Sequence, residues 1–393
     1  MLNTNKGTFV FKLALSIYLV TMMFDASMFG YMELFSKVLK GMRYFSYLLL
    51  VWKIIEDNRY LPKQLLAYGI CMFITLISYR VTGSKLIIFL MLFLIAISNV
   101  YFQEILKVSL WTNGICLAVI VAFCKYGFVP DRYEAGGRER HSLGFNFVTT
   151  SCNYWLYFVL LYVCYRKKKI TWMECVLLEA VTYYFFVMTD TKNAFAITSI
   201  VVILAYLLKI WKGQKGRYLF SFLVKNITWI GNVLFVVLMF FFDKVNFVTE
   251  TLNSILSDRI SLTCIAVENY GIRLFGQYIE WVGGTNRYDT EWRDYNYVDS
   301  SYMQILLSYG IIILLLLLIA YYFLGREIVM AGDWHFGLAI ILGSIHSTFD
   351  PQFLWMQYNI FILALGYLLV PDRMERRKYL FGLPERGGIQ HEL

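Results

Sequence analysis

Long apolar runs recur along almost the whole chain, and this feature constrains the fold more than any other. An α-helix rises about 1.5 Å per residue, so roughly 20 apolar residues cover the hydrocarbon of a bilayer. Candidate runs fall near 9–27, 43–56, 64–79, 85–100, 105–124, 145–165, 170–188, 194–210, 221–242, 302–324, 334–349 and 353–370. The fold class expected is therefore all-α: a polytopic transmembrane helix bundle of about 12 spans. Residues 1–393 read as one membrane domain, with a single long extracytoplasmic loop, 243–301, inside it. Composition agrees. The chain is 59% hydrophobic and 16% charged, whereas soluble domains hold about a quarter charged residues. The first run lacks a small-residue cleavage site followed by a soluble body, so it reads as a retained helix and not as a signal peptide.

Charge gives the orientation. The net charge is +9, and the basic residues sit in short clusters between apolar runs. They do not form a stripe with interleaved aromatics, which excludes a nucleic-acid partner. Lys53, Arg59, Lys63, Arg166–Lys169, Lys209, Lys212, Lys215, Arg217 and the tail (Arg373, Arg376, Arg377, Lys378, Arg386) all fall on one side if the N-terminus is cytoplasmic. The C-terminus is then cytoplasmic too. The seven cysteines contain no Cys-x-x-Cys pair, so neither a zinc site nor a disulfide framework is expected.

Polar residues placed outside, or at membrane depth, are the functional candidates. Loop 125–144 carries Arg132, Arg138, Arg140 and His141, which work against the positive-inside preference. They suit a phosphate, because guanidinium binds its oxygens bidentately; a solvated loop is the plainer alternative. Lys192, in the short turn TDTKNAF, reads either as a phosphate holder beside helix N-terminal amides or as a capped turn paired with Asp190. In the long loop, Leu252, Ile255, Leu256, Ile260, Leu262 and Ile265 follow helical spacing, which predicts one amphipathic surface helix. Arg259 lies on its polar side and Arg273 just beyond. Each is an anion candidate or a local ion pair. Asp299 precedes a span and could simply flank a helix start. His346, with Asp350 four residues on, closes an apolar run; it suits a general base, or a histidine hydrogen-bonded within the bundle. Glu179 and Asp25 could serve a proton or cation path, or be satisfied by neighbouring side chains; Glu174 reads as solvated.

The ordered set of segments resembles the Wzy-type bacterial polysaccharide polymerases, within the superfamily that includes the O-antigen ligases. The segments are RERHSLGFNFVTTSCNYW (138–155), TDTKNAF (189–195), SDRISLTCIAVENYGIRLFGQ (257–277), YVDSSYMQILLSYGII (297–312) and HSTFD (346–350). Lys192 stands where that family more often has Arg. The resemblance implies a membrane glycosyltransferase of the bacterial cytoplasmic membrane. Its substrates, as the resemblance implies, would be a growing glycan on a polyprenyl diphosphate, undecaprenyl diphosphate in that family, and a lipid-linked acceptor repeat unit. No cofactor and no metal is implied. Arg140, Lys192 and Arg259 would hold the diphosphate, with Arg138, His141, Arg273 and Asp299 as secondary candidates. His346 would be the base and Asp350 its orienting partner. A chain-length regulator and a flippase of the same pathway would be partners, and the product would be capsule, exopolysaccharide or O-antigen. A glycan ligase, a lipid-linked oligosaccharide flippase and a non-catalytic membrane scaffold are the rival readings.

Overall fold

The computed structural model describes residues 2–57, 60–135, 139–211, 216–242, 246–283 and 295–382. Helices dominate: α1 (Leu2–Asp25), α2 (Glu33–Asp57), α3 (Pro62–Thr82), α4 (Leu86–Ala96), α5 (Phe102–Lys125), α6 (Thr150–Arg166), α7 (Trp172–Thr189), α8 (Lys192–Ile210), α9 (Arg217–Phe240), α10 (Phe247–Ile255), α11 (Arg259–Tyr270), α12 (Ser301–Ala331), α13 (Trp334–Phe349) and α14 (Arg373–Phe381). An apolar 3-10 segment, Ile360–Leu369, lies between α13 and α14. Seven helices among the described residues are long and apolar enough to cross a bilayer: α1, α3, α5, α7, α8, α9 and α12. The chain is thus a membrane-embedded helical protein. Exposed Leu34, Leu48, Leu66, Phe73, Val176, Leu177, Ile203 and Leu219 give its outer faces an apolar character that lipid, not water, would accept.

Among the described residues, the sheet content departs from a purely helical expectation in one place. Within loop 125–144, β1 (Tyr133–Ala135) and β2 (Glu139–His141) pair as two antiparallel strands. The next residues pair with the end of α1: Met28 N donates to Gly144 O at 2.9 Å and Asn146 N to Ala26 O at 3.1 Å.

The bundle is organised around α6 and α13. Of the 16 residues of α13, 13 are buried, against α6, α8, α9 and α12. Its shortness follows: a helix enclosed by protein on all sides need not meet lipid along its length.

Two breaks shape one end of the bundle. The single amphipathic helix expected from Leu252 to Ile265 is two helices. Ser257 and Asp258 take left-handed conformations (φ 54° and 61°) between α10 and α11. Asn253 holds this break together: its Oδ1 accepts from Ile260 N (3.1 Å) and Ser261 N (3.0 Å), and its Nδ2 donates to Asp258 Oδ1 (3.0 Å). The burial differs accordingly, with Ile260 buried but Ile255 and Ile265 exposed. The second break is at Gly310, whose φ of 87° and ψ of 174° interrupt α12. The chain at 273–277 lies in the gap. Ile311 N donates to Arg273 O (3.1 Å), Ile312 N to Leu274 O (3.2 Å), and Gln277 N to Ser308 O (3.0 Å). Backbone amides freed inside a helix must find other acceptors, and here a loop segment supplies them.

Candidate functional site

Where α1, α7 and α13 end and α6, α8, α11 and α12 begin, the helix ends enclose a cavity of about 1210 Å³. Arg140, Lys192, Arg259, Asp299 and Asp350 all line it. They come from five segments of the chain, so tertiary packing gathers them.

Each is placed by a local device. α7 ends at Asp190, left-handed at φ 45°, and Thr191 starts α8 without a side-chain cap. The Thr191 side chain therefore leaves the first-turn amides of α8 uncapped, and the exposed Lys192 stands at the same helix start. The partial positive charge of a helix N-terminus favours an anion there. Arg140, on β2, donates from Nε to the carbonyl of Thr189 at 2.9 Å, which ties the hairpin to the end of α7. Arg259 opens α11 directly after the left-handed pair, and its Nε donates to Asp299 Oδ2 at 3.1 Å. Burial pushes the Asp299 carboxyl up to about 6, opposed by the Arg259 charge and reinforced by that of Asp350.

Asp350 follows α13 in extended conformation and carries a network behind it. Asn193 Nδ2 donates to Asp350 Oδ2 at 2.8 Å and lies 3.3 Å from His346 Nδ1. His346 Nε2 is 2.9 Å from Gln352 Oε1. The pattern assigns the tautomer with its proton on Nε2, leaving Nδ1 to accept from Asn193. His346 is fully buried, at 0% exposure, and 3.7 Å from Asp350 Oδ2. The Tyr157 ring meets its edge at 5.8 Å between centroids. Asp350, at 15% exposure, lines the cavity together with Asn193 and Gln352, whereas His346 does not. The order expected from sequence, histidine forward and carboxylate behind, is reversed in space.

No known protein family, no characterised protein and no solved structure matches this chain.

The remaining candidates lie elsewhere. His141 is bonded to Asp131 at 2.7 Å on the hairpin and does not line the cavity. Arg273 is exposed and contributes its carbonyl to the α12 break, not its guanidinium to the cavity. Arg138 lies outside the described residues. Arg132 sits 4.5 Å over the Tyr31 ring. Of the membrane-depth acids, Glu179 accepts from Ser199 Oγ at 2.6 Å, and Asp25 pairs with Arg43 at 2.9 Å while also lining the cavity. Glu174 is not simply solvated: it completes a capping box with Thr171 and pairs with Arg166 at 2.8 Å. Among the described residues, no three His, Cys, Asp or Glu side chains converge as a metal site would need.

Aromatic side chains form much of the rest of the wall: Trp281, Tyr295, Tyr297, Tyr309, Trp355 and Tyr358. The cavity thus offers three cations, the carboxylates of Asp25, Asp190, Asp299 and Asp350, and flat apolar surfaces together. That combination suits a polar ligand that carries phosphate at one end and stackable rings at the other. Asn193, Gln352 and Asn253 were not singled out from sequence as organisers of this site. The available signal was an Asn one residue after Lys192 and a Gln two after Asp350, neither distinguishable from ordinary helix-end residues.

Proposed function

We propose that this chain is a Wzy-type polysaccharide polymerase of the bacterial cytoplasmic membrane, with about 12 spans and both termini cytoplasmic. It elongates a glycan on polyprenyl diphosphate at the outer face. The observation that carries the reading is the meeting of Arg140, Lys192, Arg259, Asp299 and Asp350 on one cavity at the end of an apolar bundle.

The reaction breaks the bond between the anomeric carbon of the donor glycan and the diphosphate oxygen. It forms a bond from that carbon to a hydroxyl oxygen of the acceptor unit. The bonding pair leaves with the lipid diphosphate, whose added charge falls to Lys192, Arg140, Arg259 and the first amides of α8. The hydroxyl proton goes to Asp350, a wall carboxylate held by an amide where Asp299 and Asp25 are paired with arginines. Asn193, on the same wall, and His346, buried behind it, fix the orientation of that carboxylate. The diphosphate is already an activated leaving group, so this chemistry calls for no nucleotide. The aromatic wall takes the sugar rings. A flippase would deliver the acceptor and a chain-length regulator would set when the product leaves.

Deletion of the gene tests this directly through the lipid-linked glycans that remain. The expected result is single repeat units on the outer face and no long chains. Long chains of normal length would sink the proposal. Repeat units confined to the cytoplasmic face would identify a flippase instead, and complete polymer held on its carrier lipid would identify a ligase.

A further inference from the structure

A second cavity, of about 570 Å³, lies at the opposite ends of the same helices. It is lined by the end of α6 and the start of α13, whereas the larger cavity meets the start of α6 and the end of α13. The run Arg166–Lys169 forms one wall, and Asp333 is the one carboxylate among its described lining residues. Two of the four cations are engaged: Arg166 with Glu174 at 2.8 Å and Lys167 with Asp333 at 2.6 Å. Lys168 and Lys169 are exposed and have no ion pair among the described residues. The left-handed turn at Lys167 (φ 50°) and the 3-10 turn over Lys167–Lys169 hold these side chains on one short arc.

The other walls are aromatic. Tyr101, Tyr165, Trp334 and Tyr379 line the cavity, and Tyr101 lies 5.1 Å from Tyr379 between ring centroids. Tyr379 belongs to α14, which is anchored to the bundle through Glu327. That acid is approached by Arg373, Arg376 and Arg377 at 3.5, 3.6 and 3.7 Å. Trp and Tyr half in apolar surroundings and half in water mark the depth of lipid head groups. Unpaired lysines at that depth attract phosphate.

The geometry points to a binding site for a phosphate-bearing head group in this second cavity, with an anionic phospholipid as its occupant. Lys168 and Lys169 take the phosphate, and the aromatic walls take the glycerol and the first part of the acyl chains. The site is independent of the polymerase reading, because it shares no residue with the larger cavity.

The test uses the full-length protein in detergent, with bound lipid counted by native mass spectrometry. Phosphatidylglycerol, phosphatidylcholine and inorganic phosphate are the probes. One phosphatidylglycerol should be held in preference to phosphatidylcholine. Lys168→Ala with Lys169→Ala should weaken it about thirtyfold, from the usual contribution of a lysine near an anionic surface. Lys168→Arg with Lys169→Arg should hold it as the native chain does. A control pair at the same end, Lys63→Ala with Arg217→Ala, removes two exposed cations that do not line the cavity, and it should change nothing. If inorganic phosphate binds with the same sensitivity to Lys168 and Lys169 while the lipid does not, the site stands and its ligand is a free anion. Equal retention of both lipids, or equal weakening by the control pair, would overturn the site in favour of general surface charge.

Discussion

The two cavities sit about 25 Å apart, the length of the 17-residue helix α6 that joins them, and they gather charge in opposite ways. In the larger one, cations and carboxylates arrive from segments far apart in sequence, and most are held by hydrogen bonds to other parts of the fold: Arg140 to Thr189, Arg259 to Asp299, Asp350 to Asn193. In the smaller one, the cations are four consecutive residues, two of them unpaired among the described residues. A run of like charge attracts an anion without needing to orient it. A mixed set fixed by hydrogen bonds has paid in conformational freedom for orientation, which a group transfer requires. Under the proposed function, chemistry belongs to the larger cavity and attachment to the smaller, and the contrast breaks if variants at the two ends behave alike.

The largest effect expected is at Gly310. A Cβ there would stand 2.3 Å from Gly276 N and 2.4 Å from Leu274 O, with φ at +87°. Neither backbone can move without opening the break that seats residues 273–277. Gly310→Ala should cost about 3 kcal/mol or more, from left-handed strain and overpacking together. Gly332, at the smaller cavity, has φ +67° and nothing within 4 Å of the added carbon. Gly332→Ala should cost only about 1 kcal/mol. Thermal melts of the two variants in detergent give the comparison. Equal melting points would show that the inserted loop does not support the larger cavity.

Next in size is the Asp350 carboxylate. Asp350→Asn keeps the shape and removes the proton acceptor, so polymer formation should fall about a hundredfold or more. His346→Ala should also abolish long polymer while leaving protein in the membrane, because Asp350 loses the support behind it. Gel profiles of surface polysaccharide from strains carrying each variant report the outcome. Lys168→Ala with Lys169→Ala should leave the profile as it is. Normal polymer with Asp350→Asn would remove Asp350 from the reaction, and loss of polymer with the lysine pair would erase the distinction between the two ends.

Asn253 supports the larger cavity from outside it. Asn253→Ala leaves the amides of Ile260 and Ser261 without their acceptor at the start of α11. The cost should be about 1–2 kcal/mol, read as a lower melting point. Binding of a short-chain polyprenyl diphosphate should weaken with it, since Arg259 is the first residue of that helix. An unchanged melt would mean that α10 and α11 hold their angle without this side chain.

Much of the scaffold was legible in the sequence, and the reason is local: an apolar run of helix length carries its own hydrogen bonds into lipid whatever surrounds it. The seven long apolar helices coincide with runs read from sequence, and Lys192 and Arg259 stood out because charge beside such runs is conspicuous. What escaped is set by contacts distant in sequence. Gly310 lay inside an apolar run, where one glycine does not announce a break. The left-handed pair at Ser257 and Asp258 exists because Asn253 satisfies the amides beyond it, so helical spacing alone joined α10 to α11. Asn193 meets residues 153 and 157 positions away, and nothing local marks that. The reversal of His346 and Asp350 has the same origin. An i to i+4 spacing predicts proximity but not which member faces the cavity, and that is decided by α13 being enclosed while Asp350 lies just past its end.

The smallest effect is a pH dependence confined to the larger cavity. Asp299 is pushed up to about 6 by burial, so near pH 7 it is mostly charged, holds Arg259 and repels an arriving diphosphate. As pH falls through about 6 the carboxyl gains its proton, the repulsion ends and Arg259 is freed toward the cavity. Polyprenyl diphosphate binding should therefore tighten by about fivefold between pH 7 and pH 5, an amount in line with the loss of one partly buried ion pair. The diphosphate titrates over part of this range as well, so the informative quantity is the ratio between the native chain and Asp299→Asn. That variant is neutral throughout; it should bind more tightly at pH 7 and match the native chain at pH 5. A ratio that stays constant with pH would show that Asp299 carries no charge governing Arg259. Lipid retention at the smaller cavity should show no such ratio, because Asp299 lines only the larger one.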